Sequence, residues 1–229
     1  KGKPQTVPIG KDGSQTAPTN PLFSLQLTPS LQKEWVRLPD FPGPARVQPV
    51  LTAQQSEDGI RLYLAGGFQP ASAHQEAIVC TDMLSYHPKT KQWRNEGFLP
   101  SLAGGSHRTV TGGCAIASGD SSILLVGGVN YDCFRDALNH PEPDYLLHPA
   151  DWYKFNTSLL QYNTFTKHWT HLGNYEELAR AGAGIVNNAN TVIIIGGELK
   201  PGIRTPEVNA FKLIILSRKY STTQNNNQE

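Results

Sequence analysis

The sequence is short of charge and of long apolar runs, and each shortage excludes a class of protein. Charged residues make up 17% of 229 positions, with 20 Lys+Arg against 19 Asp+Glu, where roughly 25% charge is typical of soluble domains. No basic block is present, although binding to a nucleic-acid backbone needs a basic stripe. The longest apolar runs, at residues 192–195 and 213–216, fall far short of the ~20 residues that cross a bilayer. The sequence therefore predicts neither a nucleic-acid partner nor a membrane-spanning segment.

Cysteine and histidine do not form a ligand pattern. Cys80, Cys114 and Cys133 are odd in number and lack CxxC spacing, which argues against a disulfide framework and against a zinc site. The seven histidines include no HExxH motif. His168 and His171 lie three apart on a predicted strand and would point to opposite faces. We therefore expect no metal site.

The two ends of the chain have little to bury. Residues 1–19 are rich in Lys, Gly, Pro, Thr and Gln, a composition typical of a flexible lead-in. They do not resemble a signal peptide, since no apolar region follows the lysines, so we expect an export signal either to have been removed or never to have been present. Residues 218–229 are polar and of low complexity, which predicts a polar tail. The folded part is predicted to span residues 20–217.

Glycine is abundant, with 21 residues, and it reveals a repeat. An apolar run that ends in a Gly pair occurs three times, as RLYLAGG, ILLVGG and VIIIGG. After the first two pairs come a Tyr and, beyond a short turn, a Trp, in Tyr86–Trp93 and Tyr162–Trp169. Trp35 fits the same slot in a unit that begins earlier. Fixed self-similarity of this kind indicates a repeat architecture.

The repeat predicts successive antiparallel strands, because short β-branched runs alternate with glycine and turn residues. The pattern resembles the kelch repeat of β-propellers, whose blades are four-stranded sheets of ~50 residues. We therefore predict an all-β kelch-type propeller, in which each Gly pair ends the second strand of a blade. The expected pieces are two strands in residues 20–40, whole blades in 44–96 and 106–172, and three strands in 180–216. This amounts to about three blades of an expected six, so a second chain or an absent N-terminal half would complete the ring.

Two segments depart from the repeat, and function tends to lie on such loops. One is the insertion after GGVN, which contains WYKFN; the other is GGELKPGIRT after the third Gly pair. With their blades, these segments resemble the bacterial N-acetylneuraminate epimerases, sialic acid mutarotases built on a six-bladed kelch propeller, in the cyclically permuted branch of the family. The resemblance covers residues 34–216, and GELKPGIR is its most specific part. It implies a periplasmic or exported protein.

The resemblance implies that Glu198 and Arg204 are the important residues of the site. Anomer exchange needs the anomeric hydroxyl to lose a proton while the ring oxygen gains one, so general acid–base groups suffice and no cofactor is expected. Glu198 would be the proton acceptor. The turn signal at Pro201-Gly202 would bring Arg204 beside it, where the guanidinium could hold the sugar carboxylate. Lys200, Asn130 and Arg46 are further candidates for substrate binding, although Arg46 fits a solvated or blade-packing role equally well.

Two functions are compatible with these patterns. The first is an isomerase that interconverts the α and β anomers of N-acetylneuraminate, a small sugar acid. The second is a non-catalytic kelch module that binds a protein or a glycan, because one fold hosts both classes. In the second case, Glu198 and Arg204 would form a surface ion pair worth ~0 to 1 kcal/mol. A binding scaffold has no need of a base paired with a cation in a mouth loop.

Overall fold

A computed structural model describes residues 20–25, 35–102, 104–188 and 190–213. The predicted lead-in of residues 1–19 and the polar tail of residues 218–229 lie outside this part of the chain. The first half consists of strands β1 (Leu22–Leu25), β2 (Trp35–Leu38), β3 (Val50–Ser56), β4 (Gly59–Ala65), β5 (Phe68–Gln69), β6 (Ile78–Val79), β7 (Asp82–His87) and β8 (Gln92–Phe98).

The second half begins with β9 (Cys114–Ser118), β10 (Ser122–Val126), helix α1 (Tyr131–Asn139) and two 3₁₀ turns (Tyr145–Leu147 and Ala150–Tyr153). It continues with β11 (Ser158–Asn163), β12 (His168–Asn174), a 3₁₀ turn (Glu176–Leu178), β13 (Gly184–Asn188), β14 (Thr191–Ile195), β15 (Glu198–Lys200), β16 (Ile203–Arg204) and β17 (Val208–Lys212). In the described residues, no helix has the length and apolar character needed to cross a membrane.

The strands form antiparallel blades in chain order. Strands β3-β4-β7-β8 make one four-stranded blade and β9-β10-β11-β12 make another, while β13-β14-β17 form three strands of a third. Strands β1 and β2 pair ahead of the first whole blade, and β5-β6 and β15-β16 are separate two-stranded hairpins. We refer to the three larger sheets as blades 1, 2 and 3. The predicted all-β kelch-type architecture of about three blades is confirmed.

The three Gly pairs directly follow β4, β10 and β14, each the second strand of its blade, as predicted. All six glycines have positive φ, from +60° at Gly196 to +106° at Gly197, a conformation that L side chains rarely adopt. They also allow blades to approach closely. A Cβ added to Gly127 would lie 2.5 Å from the carbonyl oxygen of Arg180, at the start of blade 3. The repeat therefore marks the positions where neighbouring backbones meet.

Two apolar cores join the blades. Tyr63 and Met83 of blade 1 pack with Ile123 and Tyr162 of blade 2, and Trp169 packs against the same cluster. Leu124 and Val126, from the opposite side of blade 2, pack with residues of blade 3 that include Val192 and Ile194. Blade 2 is thus covered on both faces, which holds the three blades in a fixed succession.

Helix α1 is the element that the strand pattern did not predict. The local signals are weak but present. Asn130 caps the helix, with its Oδ1 accepting from the backbone N–H of Cys133 at 3.0 Å, and Asn is among the preferred N-cap residues. Apolar side chains at Tyr131, Phe134 and Leu138 follow helical spacing. The helix is nine residues long and has no fully buried residue, so its periodicity is too short to stand out.

Candidate functional site

The GELKPGIR segment forms the β15–β16 hairpin. Glu198 pairs with Arg204 and Lys200 with Ile203 across it, and the turn at Pro201-Gly202 reverses the chain, with Gly202 at φ +79°. The hairpin is anchored to the start of blade 3, because Glu198 exchanges two backbone hydrogen bonds with Ala181, of 2.7 and 3.0 Å. A carboxylate and a guanidinium are thereby held side by side at one end of the blade.

The two charged side chains differ in exposure. The Arg204 Nε lies 3.3 Å from the Glu198 Oε1, and the side chains are 81% and 31% exposed, respectively. The Arg204 terminal nitrogens have no hydrogen-bond partner in the described part of the chain. The guanidinium therefore retains donors for an anion, while the carboxylate lies deeper.

Glu198 occupies a position that is apolar in the other two blades. The residue after each Gly pair bonds to the backbone at the start of a blade: Phe68 to Val47, Val129 to Thr111 and Glu198 to Ala181. The three positions are therefore equivalent in the repeat, and only blade 3 has a carboxylate there. If packing alone determined this position, an apolar residue would be expected in all three blades. Glu198 therefore changes the side chain while the backbone hydrogen bonds at this position stay the same.

A cavity of about 540 Å³ opens beside Glu198. One part of its lining comes from backbone at the starts of the blades, including Gln48, Gly112 and Ala181. The other part comes from the insertion in blade 2, whose Phe134, Tyr145 and Phe155 form an aromatic wall. A cavity of this size is in the range of small-ligand sites, which are largely apolar with a few convergent polar groups.

The insertion is held from both sides. Toward blade 1, the Asn139 side chain accepts from the Ala77 N–H at 2.7 Å and donates to the Ala77 carbonyl at 3.3 Å. Toward blade 3, the Lys200 ammonium donates to the carbonyls of Leu146 and His148 at 3.2 and 2.6 Å. The insertion thus bridges the β5–β6 and β15–β16 hairpins and closes one side of the cavity.

Two of the predicted binding residues are already engaged within the protein. Asn130 uses its side-chain oxygen to cap α1, and Lys200 uses its ammonium to bind the insertion. Neither lines the cavity beside Glu198. Their roles in substrate binding stay predictions, and the structure shows each in a contact that organises the mouth.

Arg46 lies in an ion pair that supports blade 1. Its side chain is 0% exposed, its Nη1 is 2.9 Å from Asp82 and 3.1 Å from the Gly66 carbonyl, and Asp82 is 21% exposed. Arg180 makes the same contacts in blade 3, with the Gly196 carbonyl at 3.1 Å and Glu207 at 3.3 Å. These contacts favour the blade-packing alternative for Arg46.

In blade 2, an uncharged side chain binds the carbonyl of the first glycine of the Gly pair. Val110 occupies the position of Arg46 and Arg180, directly ahead of Thr111. The Asn156 side-chain amide donates to the Gly127 carbonyl at 3.2 Å, where the other two blades use an arginine. Arginine and carboxylate thus occur together in blades 1 and 3, and both are replaced in blade 2. This co-occurrence indicates that the arginines belong to the scaffold.

One group of potential metal ligands lies outside the cavity. Ligand atoms of Glu142, Asp144 and His148 lie within 4.8 Å of one another, and both carboxylates are exposed. Solvated carboxylates cluster in this way without a cation. The His148 ring instead stacks on Trp152, with centroids 3.8 Å apart, so its position is explained by packing in the insertion.

Comparisons with known proteins agree with the family that the hairpin and the repeat indicate. A sequence model of the N-acetylneuraminate epimerase family, NANM, matches residues 7–226. The chain belongs to the N-acetylneuraminate epimerase family. A relative named N-acetylneuraminate epimerase from Pasteurella multocida is 26% identical over 215 residues, covering 88% of this chain and 52% of the relative.

A second relative of that name, from Yersinia enterocolitica, is 30% identical over 189 residues, covering 76% of this chain and 45% of its own length. The solved structure of YjhT superposes with a TM-score of 0.68 and 26% identity, covering 87% of this chain and 60% of the other. The chain therefore spans about half the length of the curated relatives it matches, and it shares their family and fold.

The aromatic wall is the part of the site that the sequence did not identify. Tyr145 lies in the insertion, but its spacing carries no signal that it would reach the residue after the third Gly pair. Burial raises the pKa of Tyr145 to about 12. One sequence signal pointed to this contact. The insertion follows the Gly pair of blade 2 and the β15–β16 hairpin follows that of blade 3, so both lie at the same end of the blades.

Proposed function

We propose that the protein, completed by its remaining blades, interconverts the α and β anomers of N-acetylneuraminate, with Glu198 as the base and Arg204 as the carboxylate clamp. One observation carries the proposal: Glu198 lines a ligand-sized cavity beside an exposed Arg204, at a position where blades 1 and 2 have Phe68 and Val129. The names of the relatives support the substrate.

The proposed chemistry follows from the position of each group. The Glu198 carboxylate takes the proton of the anomeric hydroxyl, the ring C–O bond breaks as a general acid gives a proton to the ring oxygen, and the anomeric carbon becomes a carbonyl. After rotation, the freed hydroxyl attacks the other face of the carbonyl and gives its proton back to that acid. Protonated Glu198 returns its proton to the former carbonyl oxygen, and the ring is closed as the second anomer. The Arg204 guanidinium holds the sugar carboxylate through its free terminal nitrogens, in the forked geometry that a planar guanidinium offers.

We further propose that a second chain, or the remaining half of a longer one, completes the ring. Val186, Ile195 and Val208 are exposed on blade 3, on the face opposite the core shared with blade 2. An apolar sheet face of this kind is normally covered in a propeller. A structure of the whole protein in which these three residues stay exposed contradicts this proposal. A periplasmic or exported location remains a proposal by resemblance, testable by cell fractionation.

The test of the function is anomer exchange by the whole protein, followed by NMR. Glu198→Gln keeps the shape and removes the basicity, so we expect exchange to fall ~100-fold or more with sugar binding nearly intact. Arg204→Lys keeps the charge and loses the fork, so it should mainly weaken binding. Glu177→Gln, at an exposed carboxylate of the 3₁₀ turn before blade 3, is the matched control.

The same experiment decides between the two functions. If Glu198→Gln exchanges the anomers at the parent rate, Glu198 is not the base. If the whole protein binds the sugar without exchanging its anomers, the interaction module is the better description, and the Glu198–Arg204 contact is a surface ion pair.

A further inference from the structure

The cavity beside Glu198 has a second titratable group. Among the described residues that line it, only Glu198 and Tyr145 carry titratable side chains; the others are apolar residues, glycines, prolines and a glutamine. The reaction proposed above needs a proton donor for the ring oxygen as well as a base. The two requirements match the two titratable residues that line the same cavity.

Two backbone hydrogen bonds and two ring contacts hold Tyr145 in place. Its carbonyl accepts a hydrogen bond from the Tyr153 hydroxyl, and its N–H donates to the Glu142 carbonyl at 3.2 Å. Its ring packs edge-on against Trp152 and Tyr153, with centroids 5.9 and 5.3 Å away. Such packing and hydrogen bonding hold a side chain in one orientation, which proton transfer in a site requires.

The position of Tyr145 is also coupled to that of Glu198. The next residue along the chain, Leu146, gives its carbonyl to the Lys200 ammonium at 3.2 Å. Lys200 lies in β15, the strand that begins with Glu198. The Lys200 ammonium therefore connects the two walls of the cavity on which the titratable residues lie.

The hydroxyl of Tyr145 has no hydrogen-bond partner among the described residues, unlike the hydroxyls of Tyr153 and Tyr162. The Tyr153 hydroxyl is used on a backbone carbonyl, and the Tyr162 hydroxyl donates to Glu96 at 3.0 Å. The Tyr145 hydroxyl makes no hydrogen bond to any described residue, and it is not among the buried polar atoms that lack a partner. Water or a ligand can therefore reach it. Partial burial raises its pKa to about 12, so the phenol holds its proton at neutral pH.

We propose that Tyr145 is the catalytic acid that acts opposite Glu198, an inference that rests on the proposed function. As Glu198 takes the proton of the anomeric hydroxyl, the ring C–O bond breaks and the ring oxygen takes the phenol proton, leaving a tyrosinate. On closure, the freed hydroxyl returns that proton to the tyrosinate while its oxygen attacks the other face of the carbonyl. Protonated Glu198 gives its proton back to the former carbonyl oxygen, so both groups end as they began.

Neither nearby cation fits this role as well. A guanidinium binds anions through its N–H donors and does not act as a proton donor in proteins, so Arg204 can hold the substrate but not protonate it. The Lys200 ammonium is committed to two carbonyls and lies outside the cavity lining.

The test is Tyr145→Phe in the whole protein, with Tyr131→Phe as the matched control. Tyr131 lies in α1 of the same insertion and does not line the cavity. We expect Tyr145→Phe to lower the rate of exchange at saturating N-acetylneuraminate ~100-fold, the scale of one general acid, with the dissociation constant within ~3-fold of the parent. Tyr131→Phe should exchange at the parent rate. Melting temperatures of both variants should match the parent, since each keeps its ring.

The possible results separate this inference from the proposed function. If Glu198→Gln is inactive and Tyr145→Phe exchanges at the parent rate, the function stands and Tyr145 is not the acid. If Tyr145→Phe weakens binding while exchange at saturation is unchanged, the hydroxyl serves affinity, and the proposal is equally overturned. A whole protein that never exchanges the anomers overturns both.

Discussion

The hairpins that follow the Gly pairs of blades 1 and 3 begin at the same backbone position and differ in the side chain placed there. Each follows a Gly pair with positive φ, each begins with a residue bonded to the start of its blade, and each lies near an arginine that holds the first Gly carbonyl. The hairpin of blade 1 begins with Phe68, whose ring packs edge-on against Phe134 of α1 at 5.0 Å. The hairpin of blade 3 begins with Glu198.

This difference shows how a charged group can be placed at one position of a repeated backbone. Backbone hydrogen bonds and glycine geometry fix where the residue after the Gly pair lies, and they do not depend on its side chain. An apolar residue at that position packs against the insertion, whereas a carboxylate lines the space that the insertion encloses. The chemistry of one residue can thus change while the scaffold that places it is kept.

The largest expected effect comes from exchanging the two residues that differ. Glu198→Phe should lower anomer exchange in the whole protein ~100-fold or more, because it removes the proposed base, with little change in melting temperature. Phe68→Glu should lower stability by ~2 kcal/mol, because it removes an aromatic contact and places a carboxylate beside the Phe134 ring. Exchange assays and thermal unfolding measure the two effects. If Glu198→Phe unfolds the protein, the position after the Gly pair of blade 3 does not tolerate the side chain found in blade 1, and the comparison of the two hairpins fails.

An intermediate effect is expected from the ion pairs that support the hairpins. Asp82→Asn leaves the fully buried Arg46 without its counter-charge, which should cost ~2–3 kcal/mol, near the lower end for an unpaired buried charge. Glu207→Gln should cost less than ~1 kcal/mol, because Glu207 is 65% exposed and Arg180 keeps Asn209 and two carbonyls as partners. Urea unfolding measures both, and equal costs would contradict the difference in burial.

The smallest effect is expected at the contacts between the hairpins and the insertion. Lys200→Met should lower stability by ~1 kcal/mol and speed amide hydrogen exchange in residues 145–148, since two carbonyls lose their donor. Asn139→Ala is the matched variant on the blade 1 side and should loosen the end of α1 instead. If Lys200 instead holds the substrate, Lys200→Met will weaken sugar binding, and the amide hydrogens of the insertion will stay as protected as in the parent.

Much of this architecture could be predicted from local patterns. The Gly pairs, the Tyr–Trp pairs and the apolar runs gave the strands and their grouping, because each reflects a local conformational demand. The Pro-Gly turn likewise brought Glu198 and Arg204 together. Helix α1 was missed, since nine residues capped by Asn130 give too short a period to compete with the strand pattern around it.

The sequence by itself determined which segments become blades and which two loops depart from them, because turn chemistry and strand alternation act over a few residues. The tertiary structure alone decided what those loops contact. Asn130 caps a helix, Arg46 is buried in an ion pair, and Lys200 reaches across to the insertion that carries Tyr145. These contacts join residues far apart in the chain, and only the packing of whole blades against one another sets such distances.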